Sequence, residues 1–422
     1  MPPLGLLYVA SYLEEQGVSV DIIDPFSDGK EYKSDSSYVG ITCMSNQWEI
    51  TKEIAKSIKA DNPNAVVIVG GVHPTVSESI YDPNIDVIVR GEGEKAMLKI
   101  VKENVTKGIV QGEPIENLDD RPFPARHLIN MKKYTARADI VMFNWISATT
   151  VITSLGCPNN CIFCINSKRA MFGRKVRYNS PSYVEKEVEQ LVSDYKIEGV
   201  HFPDDNFLSW KKRAIEICQK IKRFDLIWDC ESRVDNLDRE LILQMKSAGC
   251  DSVGFGIESG SPKVLRALNK RAEIEQAIKA FDLCHENKIK TLAQIIIGSP
   301  EETLEDIALT EKLLDRIKPD YVQLSYMTPY EGTVIYDMAV EKGWIRKTNM
   351  LAGEPQVEIN FGFAELEEIG NRLIRKYNPF FRKIRPYLSK YFVYDMLRLL
   401  GKKPSLLFNG TRVWNDAAGE YL

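Results

Sequence analysis

The chain reads as an α/β protein in three parts: a Rossmann-like unit over residues 1–125, a partial (β/α)6 barrel over 126–345 and a helical extension over 346–422. Three observations predict this. Residues 1–105 alternate apolar strands with amphipathic helices, the pattern of a parallel sheet. After a turn-rich linker at 114–124, strand-then-helix units repeat six times, which suits a barrel whose reactive groups gather at the carboxyl ends of its strands. The composition then changes: residues 372–403 hold ten Lys or Arg against the single acid Asp395.

In the first part, residues 4–16 have helical periodicity and 18–24 read as a strand. A second strand spans 38–42, a helix 48–60, and a fully apolar strand 65–71 ends in Gly70-Gly71. A further strand at 85–90 runs into the turn Gly91-Glu92-Gly93-Glu94. Open α/β sheets bind ligands at the carboxyl ends of their strands, where Thr42, Gly70, Gly71 and residues 91–94 fall. In the barrel, strands are expected at 149–155, 199–203, 226–232, 252–258, 291–298 and 321–327. Helices are expected at 182–195, 211–224, 239–248, 274–287 and 303–317. The final segment interleaves its cations with Tyr377, Phe380, Phe381, Tyr387, Tyr391, Phe392 and Tyr394, in helices broken at Pro379 and Pro386. It reads first as a cap whose aromatics pack on the barrel while the cations reach outward; contact with a membrane surface or an anionic, greasy substrate is the alternative.

At 422 residues the chain exceeds one typical core. It is 44% hydrophobic and 27% charged, ordinary for a soluble globular protein, and its net charge of −4 gives no general attraction to nucleic acid. Neither a run of 18 apolar residues nor a secretory signal pattern occurs. Five of the eight cysteines (Cys43, Cys218, Cys230, Cys250 and Cys284) are scattered singly, a usage that fits a reducing cytoplasm better than a disulfide framework.

The other three carry the chemistry. Cys157, Cys161 and Cys164 follow the first barrel strand with the spacing Cys-x3-Cys-x2-Cys, which supplies three thiolates to one centre. Thiolates suit zinc and iron–sulfur clusters alike. A structural zinc would recruit a fourth Cys or His nearby, and the closest downstream candidates, His201 and Cys218, belong to other elements. A three-ligand cluster, with one iron open to something else, is the favoured reading.

With Phe163 before the last cysteine, this loop resembles the signature of the radical S-adenosylmethionine enzymes. The resemblance implies a 4Fe–4S cluster whose open iron chelates S-adenosylmethionine, and a 5′-deoxyadenosyl radical that abstracts hydrogen from unactivated carbon. It implies that Phe163 lies near the adenine. Asp204 and Asp205 resemble the segment that holds the methionine amino group. Arg233 would pair with the methionine carboxylate, or with an acid on the barrel rim. Glu231 and Glu258 would accept from ribose hydroxyls or the amine, in the motifs Glu231-Ser232-Arg233 and Gly256-Ile257-Glu258-Ser259. Gly298, in the fifth-strand motif, would lie against adenine.

Residues 2–13, 70–75 and 91–94 resemble the cobalamin-binding domain of the cobalamin-dependent branch, so Thr42, Ser45, Gly70, Gly71, His73, Glu92, Gly93 and Glu94 are expected around the corrin. Two departures stand out. No histidine lies in an Asp-x-His-x-x-Gly motif, so cobalt is expected to carry water or no lower ligand, with His73 a loop contact. Relatives also have a strand before the Pro2-Pro3-Leu4-Gly5 helix that is not found here, which predicts a sheet short of its first strand and either an upstream start or impaired cobalamin binding. The reading is a cytoplasmic enzyme carrying a 4Fe–4S cluster, S-adenosylmethionine and cobalamin, methylating an unactivated carbon. Its partners would be a small-molecule substrate (a lipid, isoprenoid or tetrapyrrole) and a reducing donor such as ferredoxin or flavodoxin, not nucleic acid. A ring-forming radical enzyme and a non-catalytic corrinoid or metal-binding protein are the rivals.

Overall fold

A computed structural model describes residues 1–24, 34–77, 80–135, 144, 146–168, 171–173, 175–346 and 356–378. The basic aromatic run beyond 378, with the breaks expected at Pro379 and Pro386, lies outside these residues.

The described residues form two parallel sheets. The first has four strands, β1 (Tyr38–Thr42), β2 (Val66–Gly70), β3 (Val87–Arg90) and β4 (Gly108–Gln111), in that spatial order. The helix Leu4–Glu15 packs against the helix Gly93–Lys102 so closely that a Cβ on Gly93 would sit 2.9 Å from Val9 Cγ2. Residues 18–24, expected as a strand, form none. Their alternation is right for a strand, but strands exist by pairing, and this run has no ladder partner among the described residues.

The second sheet has six parallel strands, ordered in space as they follow one another along the chain within that sheet, as in a curled half-barrel. They are β5 (Ala148–Thr150), β8 (Gly199–Phe202), β9 (Ile227–Ser232), β10 (Cys250–Glu258), β11 (Lys290–Ile297) and β12 (Tyr321–Tyr326). Alternation sorts the side chains. Val200, Phe202, Trp228, Cys230, Val253, Phe255, Ala293 and Ile295 enter the main core, shared with the surrounding helices. The intervening residues, His201, Asp229, Glu231, Gly254, Gly256 and Gln294, therefore face the concave side. Ser180, Asp238, Ser261, Thr303 and Thr333 each accept a backbone N–H at a helix start, so these five helices begin where the sequence supplies caps.

One expected boundary shifts. The first barrel strand stops at Thr150, and residues 154–155 form a separate strand, β6, antiparallel to β7 (Arg177–Tyr178). The cause is local: Val151 N–H still bonds His201 O at 3.0 Å, but Thr153 N–H turns to the Asp204 carboxylate at 2.7 Å. The helical extension reaches the far edge of the sheet. The helix Phe363–Tyr377 is part of the main core through Leu366, Ile369, Leu373 and Tyr377. Asn378 then uses its amide like a strand, donating to Val322 O at 2.7 Å and accepting from Val322 N at 2.9 Å. That covers part of an edge that would otherwise invite another chain.

Buried charge ties the first unit to the β6–β7 pair. Arg177 on β7 makes a bidentate pair with Glu92 and donates to Ile115 O at 2.6 Å. Arg121 lies 4.1 Å from the ring centroid of Tyr8 and 3.7 Å from Glu94. Residues 114–124, expected as a linker, are thus packed; Leu118 is fully buried. No described helix is long and apolar enough to cross a membrane.

Candidate functional site

The three clustered cysteines lie between β6 and β7, in a loop pinned from below by two aspartates. Asp204, 2% exposed, accepts from Thr153 N at 2.7 Å, Thr153 Oγ1 at 2.5 Å and Ser154 Oγ at 2.6 Å. Asp205 accepts from Asn166 Nδ2 at 2.7 Å, just past Cys164. Burial raises both carboxyls above their usual range while these donors pull them back. Both aspartates hold the loop, so Asp204 in particular has its oxygens spent on it.

Cys161 is buried, and Cys157 and Cys164 are partly exposed. Burial pushes the Cys164 thiol up to about 11, and the other two thiols add to it, so the three lie within electrostatic reach of one another. Burial also raises Cys161, opposed by the nearby Lys270 and Arg233. Arg233 Nη1 points at Cys161 Sγ from 3.9 Å, and Asn159 Nδ2 at Cys157 Sγ from 3.6 Å. Cations and amide donors beside sulfur favour the thiolate that a metal needs. Phe163 packs into a side cluster with Val264, Leu268, Met327 and Ile335.

Beside this loop the concave face is polar. Glu231 reaches across β10 to Gln294, whose Nε2 donates to it at 3.0 Å. It can do so because residue 254 is glycine: a Cβ there would meet the carboxylate at 2.2 Å. Likewise Glu258 and Lys270 form a 2.6 Å pair over Gly256, where a Cβ would lie 2.6 Å from Glu258 Oε1. Glu258 adopts a left-handed backbone with φ of 65°, an uncommon state for such a residue and one that collects at functional sites. Arg233 pairs with Asp235 at 2.9 Å, the rim pairing foreseen as one of its two roles, while still facing Cys161. Ser259 turns instead to Thr310 Oγ1 at 3.2 Å. Gly298, with φ of 81°, donates its N–H to Glu302 at 2.6 Å, which fixes the loop after β11.

Two consequences are testable. Gly254→Ala is expected to break the Glu231–Gln294 contact and cost about 1–3 kcal/mol in urea unfolding, as overpacking does. Burial raises the Glu231 carboxyl from 4.5 to about 7. The folded chain therefore holds this proton more tightly than the unfolded chain. That contribution to stability is full below pH 4.5 and is lost as the pH rises through about 7. Glu231→Gln cannot ionise, so its urea midpoint is expected to gain on the parent protein across that window; a constant offset would refute the assignment.

In the first unit, Thr42 and Ser45 lie at the open end of β1, Thr42 exposed and Ser45 half-buried. Gly70 ends β2 and Gly71 follows it. Gly71 has φ of 107°, and a Cβ there would strike Cys43 O at 2.9 Å, so only glycine lets these two loops abut. His73 is buried, with Nδ1 lacking a hydrogen-bond partner and its ring 5.3 Å from that of Trp48. Burial lowers its basicity, with Glu331 of the barrel acting against this. Glu92 and Glu94 do not line this opening with free carboxylates; they are the acids of the buried pairs with Arg177 and Arg121. The sequence reading missed Lys270, Gln294 and these two arginines. No local motif marks them, because each finds its partner from a distant segment.

The donor set fits a thiolate-held cluster: three thiols close in sequence, with Arg233 facing Cys161 Sγ and Asn159 facing Cys157 Sγ. At the ends of β1 and β2 the buried His73 Nδ1 has no hydrogen-bond partner among the described residues, which fits a ligand bound there. Comparison with known proteins agrees. The Radical SAM superfamily pattern matches residues 151–314, and the B12 binding domain pattern residues 1–101. The chain is 35% identical to an uncharacterized methyltransferase of Pyrococcus horikoshii, over 82% of this chain and 80% of that one. It is 30% identical to an anaerobic magnesium-protoporphyrin IX monomethyl ester cyclase of Rubrivivax gelatinosus, over 81% and 67% respectively. In fold it is similar to the radical S-adenosylmethionine methyltransferase TsrM of Kitasatospora setae, with a TM-score of 0.66 at 18% identity over 82% of this chain and 75% of TsrM. The cofactors that go with these two domains are a 4Fe–4S cluster, S-adenosylmethionine and cobalamin. With both domain patterns present and a relative this similar over most of both lengths, the chain belongs to the cobalamin-dependent radical S-adenosylmethionine family.

Proposed function

We propose that this enzyme methylates an unactivated carbon of a small molecule, with a tetrapyrrole, isoprenoid or lipid as the substrate class. The observation that carries the reading is the cysteine loop beside the polar concave face, with the β1 and β2 strand ends docked to the barrel. There Gly332 of the barrel packs so tightly on Val76 that a Cβ would lie 2.4 Å from it. When bound, the cofactors would supply one-electron cleavage of a sulfonium and a transferable methyl group. Cys157, Cys161 and Cys164 would hold the cluster. Glu231, Arg233, Glu258 and Lys270 present two carboxylates and two cations toward a zwitterionic amino acid and a ribose, which need both signs and hydrogen-bond acceptors. Thr42, Ser45, Gly70, Gly71 and His73 would line the corrin, while Glu92 fixes its domain to Arg177 of the barrel and Gly93 and Glu94 pack within the domain, on Val9 and Arg121. Keeping both carriers on one rigid frame favours reaction through orientation.

Ring formation without methyl transfer is a second reading, supported by the similarity to the cyclase of Rubrivivax gelatinosus. A labelled S-adenosylmethionine methyl group separates the two. Anaerobic enzyme incubated with candidate tetrapyrroles and isoprenoids should give a product heavier by one labelled methyl. Turnover to 5′-deoxyadenosine with an unlabelled, newly cyclised product would exclude the methyl-transfer reading.

A further inference from the structure

The outer face beside the cysteine loop carries three cations that pair with no carboxylate among the described residues. A groove of about 730 Å3 runs between the helices Pro262–Ala267, Ile274–Glu286 and Leu304–Ile317. Leu265, Ile278 and Leu313 form its apolar floor, and Leu309, 42% exposed, stands on its lip. Arg266, Arg271 and Lys312 line it, all exposed, and among the described residues none pairs with a carboxylate. Arg316 also lines it but is held by Asp282 at 2.8 Å; Glu273 and Glu275 are the acids on the rim.

The groove adjoins the candidate cluster loop. Asn269 Nδ2 donates to Asn160 O at 2.8 Å, and Ile162 N–H to Leu268 O at 3.0 Å. Arg271 O accepts from Arg233 Nη2 at 3.3 Å, and the other terminal nitrogen of Arg233 faces Cys161 Sγ. Pro158 and Asn160, inside the cysteine loop, are exposed. An apolar floor with a cationic rim, one contact away from the loop, is the anatomy of a transient docking surface for an acidic protein.

We propose that this face receives an acidic one-electron carrier protein, a surface that rests on the radical reading above. Each carrier is oxidised by one electron. Cleavage consumes that electron as the carbon–sulfur bond of the sulfonium breaks into neutral methionine and a carbon-centred radical. Leu309 and the floor give contact area, Arg266 and Lys312 steer, and the exposed cysteine loop lies at the rim.

Flavodoxin is the probe. Its binding to the parent protein is measured by titration at low and moderate salt, beside Arg266→Glu/Lys312→Glu and the milder Arg266→Gln/Lys312→Gln, neither of which touches the cluster loop. The charge-reversed pair is expected to weaken flavodoxin binding at least about tenfold at low salt, the neutral pair less, and salt to erase the differences. The same proteins should form 5′-deoxyadenosine with dithionite at the parent rate, and with reduced flavodoxin only slowly in the charge-reversed pair. Unchanged flavodoxin binding with normal dithionite turnover overturns the docking surface alone. Failure of the parent protein to form 5′-deoxyadenosine even with dithionite overturns the radical reading and this proposal with it.

Discussion

Cys161→Ala is expected to reduce cluster iron to near background and to abolish 5′-deoxyadenosine formation. Cys161 is the most enclosed of the three clustered thiols, 7% exposed, and Arg233 and Lys270 lie close enough to favour its thiolate. Alanine removes the ligand and leaves Arg233 facing an empty place. The control is Cys218→Ala. Cys218 is more buried than Cys161, at 1% exposed, but it lies in the main core between Ile217 and Ile221 on an apolar helix face. Its loss should cost stability and leave iron and turnover in place. Iron and absorbance measured after anaerobic reconstitution distinguish the two. Equal loss of iron from both variants would mean that the clustered thiols have no special role.

The second large effect concerns the scaffold. Arg126 and Glu187 are 3% and 0% exposed and pair at 2.7 Å, with Arg126 also donating to Thr150 O at 3.1 Å. This ties the segment before the barrel to the helix Pro181–Tyr195 and to β5. Arg126→Ala would strand a carboxylate that has no water to turn to, at a cost of about 3–5 kcal/mol. The urea midpoint should fall accordingly, and Arg126→Leu/Glu187→Leu should recover much of the loss, because two apolar side chains leave no unpaired charge. A single variant that unfolds with the parent midpoint would show that the pair contributes little.

Most of the barrel was legible before the structure, because strand and helix periods differ and several helices bring their own caps. Ser180, Asp238 and Thr303 sit where their helices start. The cysteine spacing was legible for a different reason: its chemistry needs the residues close in sequence. What stayed hidden depends on distant partners. Nothing near Glu92 announces that Arg177 will take it, so a residue that reads as a ligand contact proves to be one half of a buried clamp. Residues 18–24 failed from the opposite direction, since a good strand pattern cannot supply its own neighbour. Gly254 reads as a weak strand residue until Glu231 is seen lying across it.

Electron paramagnetic resonance of the anaerobically reconstituted, reduced protein, recorded before and after adding S-adenosylmethionine, goes to the heart of the matter. A cluster held by Cys157, Cys161 and Cys164 with one iron open should give a 4Fe–4S signal that shifts when S-adenosylmethionine binds. An unshifted signal from a fully protein-ligated cluster, or a protein that takes up zinc and no iron, would contradict it.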